Sequence, residues 1–187
     1  ASFGKPMILS TGMNDIESIR KSVETILKHN VELSLLHCTS IYPAPPKTMR
    51  LGAIQHLKEE FPGIEIGLSD HSLGISISLG AVALGANIIE KHFTKSRKWP
   101  GPDNPFSIEP DELKELVNSS KELWEARGGR KDILPEEQPV IDFAYSCVVS
   151  IRDIQIGDKL TLENIWVKRP GDGFIQASEF EEVLGKT

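Results

Sequence analysis

Cysteine is scarce: the 187-residue chain has two, Cys38 and Cys147. Their spacing matches neither a disulfide scaffold nor a zinc-ligand pattern, so free thiols in a reducing cytosol are expected. A basic excess is also missing. Lys plus Arg number 21 against 27 Asp plus Glu, a net charge of −6, which argues against the basic footprint of a general nucleic-acid binder. Long apolar runs are lacking as well. The longest nearly apolar stretch, Ile75 to Ile89, is 15 residues broken by serine and glycine, and is short for a membrane span. The first residues do not read as a basic-then-apolar secretory leader. What is there, 39% hydrophobic and 26% charged residues, is the composition of a globular domain with at most a small appendage.

The opening residues carry a further expectation. Lys5-Pro6-Met7-Ile8-Leu9-Ser10 already reads as a strand, with no earlier strand to pair against and no initiator Met. A piece of a longer protein is expected.

Pro6 to Ser10 ends in a turn, and Ile16, Ile19, Val23, Ile26 and Leu27 then share one face of an amphipathic helix. Asn14 is placed to cap that helix, with Glu17 three residues on as in a capping box. Leu33 to Cys38 reads as a second strand, and helical spacing resumes at Leu51, Ile54, Leu57 and Phe61. Ile64 to Leu68 is a third strand, followed by an apolar helix over Ile75 to Leu84 that should be well buried. Asn87 to His92 is a fourth strand, followed by a loop to Ser107 and a helix from about Glu109. Alternating strands and helices predict a parallel sheet with right-handed crossovers. Four units over residues 5–127 make about half of a (β/α)8 barrel, which takes roughly 250 residues. A flavodoxin-like open sheet competes, although no Gly-rich phosphate loop follows any of the strands.

Gly128 to Asp142 shifts to Gly, Pro and charge and reads as a linker. Short β-like runs follow at Tyr145 to Ile151, Lys159 to Leu162 and Ile165 to Val167, with a Gly157-Asp158 turn. The expected organisation is therefore residues 1–127, a linker over 128–142, and a small β-rich module over 143–187. A module that small should dock on something larger.

Ligands of parallel α/β folds sit outside the carboxyl ends of the strands. Those ends carry Ser10 and Thr11, then Cys38, Thr39, Ser40 and Tyr42, then Ser69, Asp70 and His71, then Glu90 and His92. Solvated strand ends would account for any one of them. His71 and His92 lie one strand–helix unit apart, so they belong on neighbouring strands about 4.8 Å apart. There they can share a divalent ion, the alternative being polar or core histidines. The lack of a nearby third His or Cys disfavours structural zinc and favours an oxygen-rich Mn²⁺ or Mg²⁺ site. His29 and His56 read as solvated, and His37 as a hydrogen-bonded core residue. Lys91 should point away from His92 and make a structural ion pair. Lys95, Arg97 and Lys98 read as a solvated charge run. Asp103 sits on the rigid Pro100-Gly101-Pro102 mount, as a functional carboxylate or a turn former.

In combination and order, several segments resemble the N-acetylneuraminate (sialic acid) synthase family. They are Ser10-Thr11-Gly12-Met13, Cys38-Thr39-Ser40-Ile41-Tyr42-Pro43, Gly67-Leu68-Ser69-Asp70-His71, Glu90-Lys91-His92-Phe93-Thr94 and Pro100-Gly101-Pro102-Asp103. Ile151-Arg152-Asp153-Ile154 through Lys168-Arg169-Pro170-Gly171 resembles that family's antifreeze-like (SAF) module. The resemblance implies the C-terminal half of a (β/α)8 TIM barrel followed by that module. It implies an enzyme that condenses phosphoenolpyruvate with an N-acetylated hexosamine, usually N-acetylmannosamine, with release of phosphate. A divalent metal is implied, typically Mn²⁺ with Mg²⁺ or Co²⁺ as options, in a homodimer whose tail module acts in trans. Residue by residue, His71 and His92 become metal ligands, and Ser10 and Ser69 phosphoenolpyruvate contacts. Ser40, Tyr42 and Asp103 become sugar contacts, Ser40 standing where some members carry Asn. Arg169 is placed over the partner's sugar. The family's main catalytic carboxylate and phosphate-binding lysines belong to the first half of the barrel, so the chain alone is expected to be inactive and to self-associate. The same residues leave two other readings open: a synthase for legionaminic or pseudaminic acid, and a non-catalytic carbohydrate-binding or assembly module.

Overall fold

The computed structural model describes residues 1–187, in two compact units, Ala1–Gly129 and Arg130–Thr187. The first unit is a four-stranded parallel sheet of β1 (Met7–Ser10), β2 (Leu33–Cys38), β3 (Glu65–Asp70) and β4 (Ile89–Lys91), in the order β1-β2-β3-β4. Its crossovers are α1 (Ile16–Leu27), α2 (Ala53–Glu60) and α3 (Ser76–Ala83), and α4 (Pro110–Ala126) follows β4. Register is continuous, with Leu35 opposite Ile66, Cys38 opposite Ser69, and Asp70 opposite Lys91.

One apolar layer explains this arrangement. Leu33, Leu35, Ile66 and Leu68 from the strands pack with Ile19 and Val23 of α1, Ile54 and Leu57 of α2, and Ala81 of α3. Full burial of each Leu or Ile is worth roughly 1.5–3 kcal/mol. Because side chains alternate along a strand, Leu36, Cys38, Gly67, Ser69 and Glu90 face the other way. The three crossover helices therefore cover one face only, and the strand order never reverses. Both features are those of a barrel segment; a doubly wound sheet has helices on both faces and a reversal of order. The fold is half of a (β/α)8 barrel, not the flavodoxin-like alternative.

Local chemistry departs from expectation in several places. Asp15, not Asn14, caps α1, its carboxylate accepting from Ser18 N at 2.9 Å; Asn14 turns back to Thr11 O at 2.8 Å. Helix α3 is buried mainly through Ser78, Ala81 and Val82, with the rest of its surface partly open. Arg97 is exposed, as a solvated charge would be, but it is also tied down: its Nε donates to Ser107 O at 2.9 Å and its guanidinium pairs with Glu112, fastening the loop after β4 to the start of α4.

In the second unit, β5 (Cys147–Ser150) pairs antiparallel with β6 (Ile165–Lys168), and Gln176 bridges to Cys147. Trp166 packs edge-on against Phe180 of α6 (Phe180–Val183), with centroids 5.5 Å apart. The expected strand at Lys159 to Leu162 does not form. Leu160 instead exchanges backbone hydrogen bonds with Gly185 and Lys186, which satisfies its polar groups outside a ladder. The expected linker also contains structure: a 3₁₀ turn at Pro135–Glu137 leads into α5 (Gln138–Ala144).

No helix is long and apolar enough to cross a membrane.

Candidate active site

The ends of β2, β3 and β4 meet around His71. Its Nδ1 lies 3.0 Å from Thr39 O, so Nδ1–H donates to that carbonyl and the Nε2 lone pair is left for a ligand. Thr39 is fixed in turn by its hydroxyl, which donates to Thr48 O at 3.0 Å. Ala44 N donates to His71 O at 3.0 Å. The His71 ring is buried and packs at a tilt against Tyr42, centroids 4.2 Å apart. Cys38 Sγ sits 4.0 Å from His71 Nδ1 and 3.7 Å from Ser40 Oγ.

His92 occupies the position next to Lys91, across from His71, with ring centroids 5.3 Å apart. It is part-exposed, its Nδ1 lies 3.7 Å from Asp103 Oδ2, and Phe106 flanks it at 5.1 Å. Two imidazoles sharing a cation at about 2.1 Å keep their centroids within about 6.5 Å of each other. The separation and the free Nε2 of His71 thus fit a divalent cation. No third His, Cys, Asp or Glu joins them as a metal cluster; a cation held there would take two nitrogens from the protein and the rest of its ligands from oxygen donors.

The other expected residues are placed as follows. Ser69 is buried, and its hydroxyl donates to Glu90 Oε1 at 2.6 Å. Ser10 ends β1 and is exposed on the helix-free face; Ser40 is half-buried, and Tyr42 and Asp103 are exposed. Tyr42, His71, His92 and Phe106 form one aromatic wall. Arg169 is exposed in the second unit, in the cis Arg169–Pro170 pair. Sequence reasoning placed Glu90 at a strand end but missed its tie to Ser69; the cross-strand pairing of two polar residues was the available signal. Phe106 was missed too, and a lone aromatic after Pro105 gave no signal for it.

Behind the site, Asp70 accepts from Lys91 Nζ at 2.9 Å, Ser78 Oγ at 2.5 Å and Ser72 N at 2.8 Å. Burial pushes its carboxyl up, but these partners outweigh it and hold the pKa below the ordinary carboxylate value. His37 is buried and bonded to Met49 O at 2.7 Å, while His29 and His56 are exposed. A separate cavity of about 650 Å³ lies between α4 and the edge of β4, lined by Leu113, Val117 and Trp124. It holds none of the histidines.

Known proteins resemble this chain in sequence and, for solved structures, in fold. N,N'-diacetyllegionaminic acid synthase of Campylobacter jejuni is 42% identical across 100% of this chain and 56% of its own length. Mouse N-acetylneuraminate-9-phosphate synthase is 38% identical across 90% of this chain and 47% of its own. The crystal structure of N-acetylneuraminic acid (sialic acid) synthetase from Leptospira borgpetersenii, in complex with citrate, superposes with a TM-score of 0.67 at 41% identity. That match covers 72% of this chain and 47% of the other. The chain spans about half the length of the curated relatives it matches. Residues 145–187 match the SAF domain. With residues 1–132 matching the NeuB family model, the chain belongs to the NeuB family.

Proposed function

We propose that the chain contributes to a sialic acid synthase, which joins phosphoenolpyruvate to N-acetylmannosamine, consumes water, releases phosphate and leaves a nine-carbon keto acid. The observation that carries this reading is the His71–His92 pair at adjacent strand ends, with His71 Nδ1 tied to Thr39 O. The relatives' names support the reaction class.

In this reading His71 and His92 hold a divalent metal, Mn²⁺ foremost. When bound, the metal supplies Lewis acidity toward the sugar's carbonyl oxygen. Ser10 and Ser69 donate hydroxyl hydrogen bonds to phosphoenolpyruvate, which fixes its reacting carbon and removes part of the entropic barrier. To do so Ser69 redirects the proton it gives to Glu90 in this structure. Tyr42, Ser40 and Asp103 orient the sugar, and the wall of Tyr42 and Phe106 limits water around the rings. The protein acts as a homodimer, in which Arg169 of the tail module reaches the partner's sugar.

A second reading, the synthase of a related nonulosonate such as legionaminic or pseudaminic acid, is favoured by the 42% identity to the legionaminic acid enzyme. An assay of the full-length protein with phosphoenolpyruvate, Mn²⁺ and a panel of N-acetylated hexosamines separates the two. Phosphate release with N-acetylmannosamine supports the first, and release only with a diacetylated sugar the second. Metal-bound protein that releases no phosphate with any sugar overturns both.

A further inference from the structure

Asp70 and Lys91 touch no candidate ligand position, yet they form the only ion pair buried on both sides, with side chains 0% and 3% exposed. They sit opposite each other in the β3–β4 register, one residue before His71 and His92 respectively. Lys91 Nζ spans two residues: it donates to Asp70 Oδ2 at 2.9 Å and to Ser72 O at 2.8 Å. Asp70 Oδ1 accepts from Ser72 N at 2.8 Å, and Ser78 Oγ on α3 donates to Oδ2. Both chain neighbours of His71 are thus held by one ammonium and one carboxylate.

Stability is a poor reason for such a pair, because an apolar pair of similar volume generally does as well or better. Register is a better one. Strand β4 is three residues long and meets β3 at three positions. A one-residue slip would turn every β4 side chain to the opposite face and carry His92 away from His71. The pair opposes that slip at the position adjoining the histidines.

We propose that Asp70 and Lys91 are positioning residues for the histidine pair, pinning β4 on β3 in the one register that presents both imidazoles to a single divalent cation. This inference rests on the metal reading above.

The test uses Mn²⁺ alone, titrated into full-length protein and followed by the electron paramagnetic resonance of the free ion. The visible spectrum of bound Co²⁺ serves as a second readout. In the double variant Asp70→Asn/Lys91→Met, the amide still accepts from Ser72 N while both charges are gone. Metal-free melting close to wild type is expected, with Mn²⁺ bound about tenfold or more weakly and an altered Co²⁺ spectrum. If that variant does not fold, Ser78→Ala carries the test. It removes one bond to Asp70, and about threefold weaker Mn²⁺ binding with a shifted Co²⁺ band is expected. Wild-type affinity and spectrum in the folded variant overturn the inference. The His71→Ala control separates the two claims: if it binds Mn²⁺ as well as wild type, the metal reading itself falls. If it loses binding while the Asp70/Lys91 variant does not, only the positioning role falls.

Discussion

Ser69 and Glu90 face each other across the β3–β4 ladder, and the serine hydroxyl donates to the carboxylate at 2.6 Å. The proposed phosphate contact therefore competes with an internal acceptor. In the proposed reading, phosphoenolpyruvate has to win that hydrogen bond from the Glu90 carboxylate.

That competition gives the first prediction. Ser69→Ala should raise KM for phosphoenolpyruvate about tenfold or more, since a hydrogen bond to a charged partner is worth roughly 1.5–3 kcal/mol. Glu90→Gln keeps an acceptor for Ser69 and removes the like charge, so its KM should not rise. Steady-state kinetics on the full-length protein check both, and an unchanged KM for Ser69→Ala would remove this residue from the phosphate site.

His71→Ala and His92→Ala should each abolish metal-dependent synthesis while leaving far-UV circular dichroism largely unchanged. One imidazole of two is lost, and with it most of the metal affinity. Near wild-type turnover at low Mn²⁺ in either variant would exclude the assignment.

The buried ring of His37 makes stability depend on pH. Burial lowers its pKa from 6.5, outweighing the hydrogen bond to Met49 O that favours the charged form, while Arg50 adds to the lowering. Between the lowered native value and 6.5 the unfolded chain binds a proton that the folded chain does not. Stability is thus fully present above about pH 6.5 and is lost as pH falls through that window. Urea unfolding across the range should show the decline, and His37→Gln should flatten it. An equally steep decline in the variant would assign the effect elsewhere.

Gly67, in β3, has no room for a side chain. A Cβ there would stand 2.4 Å from Ile88 O and 2.6 Å from Leu36 Cδ2. Ile88 O also accepts from Leu68 N at 2.9 Å, so the displaced carbonyl takes a ladder bond with it. Gly67→Ala should cost about 1–3 kcal/mol by overpacking, measurable by chemical denaturation. A neutral substitution would show that the strands can part without cost.

The role proposed for Arg169 is tested by mixing subunits. Full-length His71→Ala and Arg169→Ala proteins, each inactive alone, are co-expressed so that mixed dimers form. If the tail crosses to the partner, about one quarter of all sites regain both functions, given random pairing in a two-fold dimer. If each tail serves its own barrel, no activity returns.

Much of this was legible in the sequence, because parallel strands place chain-distant residues together by a simple rule. The His71–His92 pairing and the outward turn of Lys91 follow from strand alternation and unit length. Ends and loops were less legible. Asp15 took the cap from Asn14 because the carboxylate, one residue later, reaches Ser18 N. Arg97 read as solvated because its partners, Ser107 and Glu112, come from beyond an irregular loop. Lys159 to Leu162 has a strand-like pattern but finds its backbone partners in the chain terminus, which no local pattern records.

The alternation of β3 and β4 has a practical consequence for altering specificity. Positions 67, 69, 71, 90 and 92 share one side, while 66, 68, 70, 89 and 91 share the other. Chemistry and architecture are thus written on alternate letters of the same short words. Under the proposed reading, a combinatorial library restricted to the sugar contacts Ser40, Tyr42 and Asp103 can search for new acceptor sugars without touching a residue of the apolar layer. One that also varies Leu68 cuts into that layer, and one that varies Asp70 or Lys91 removes the buried pair proposed to hold the two histidines in register.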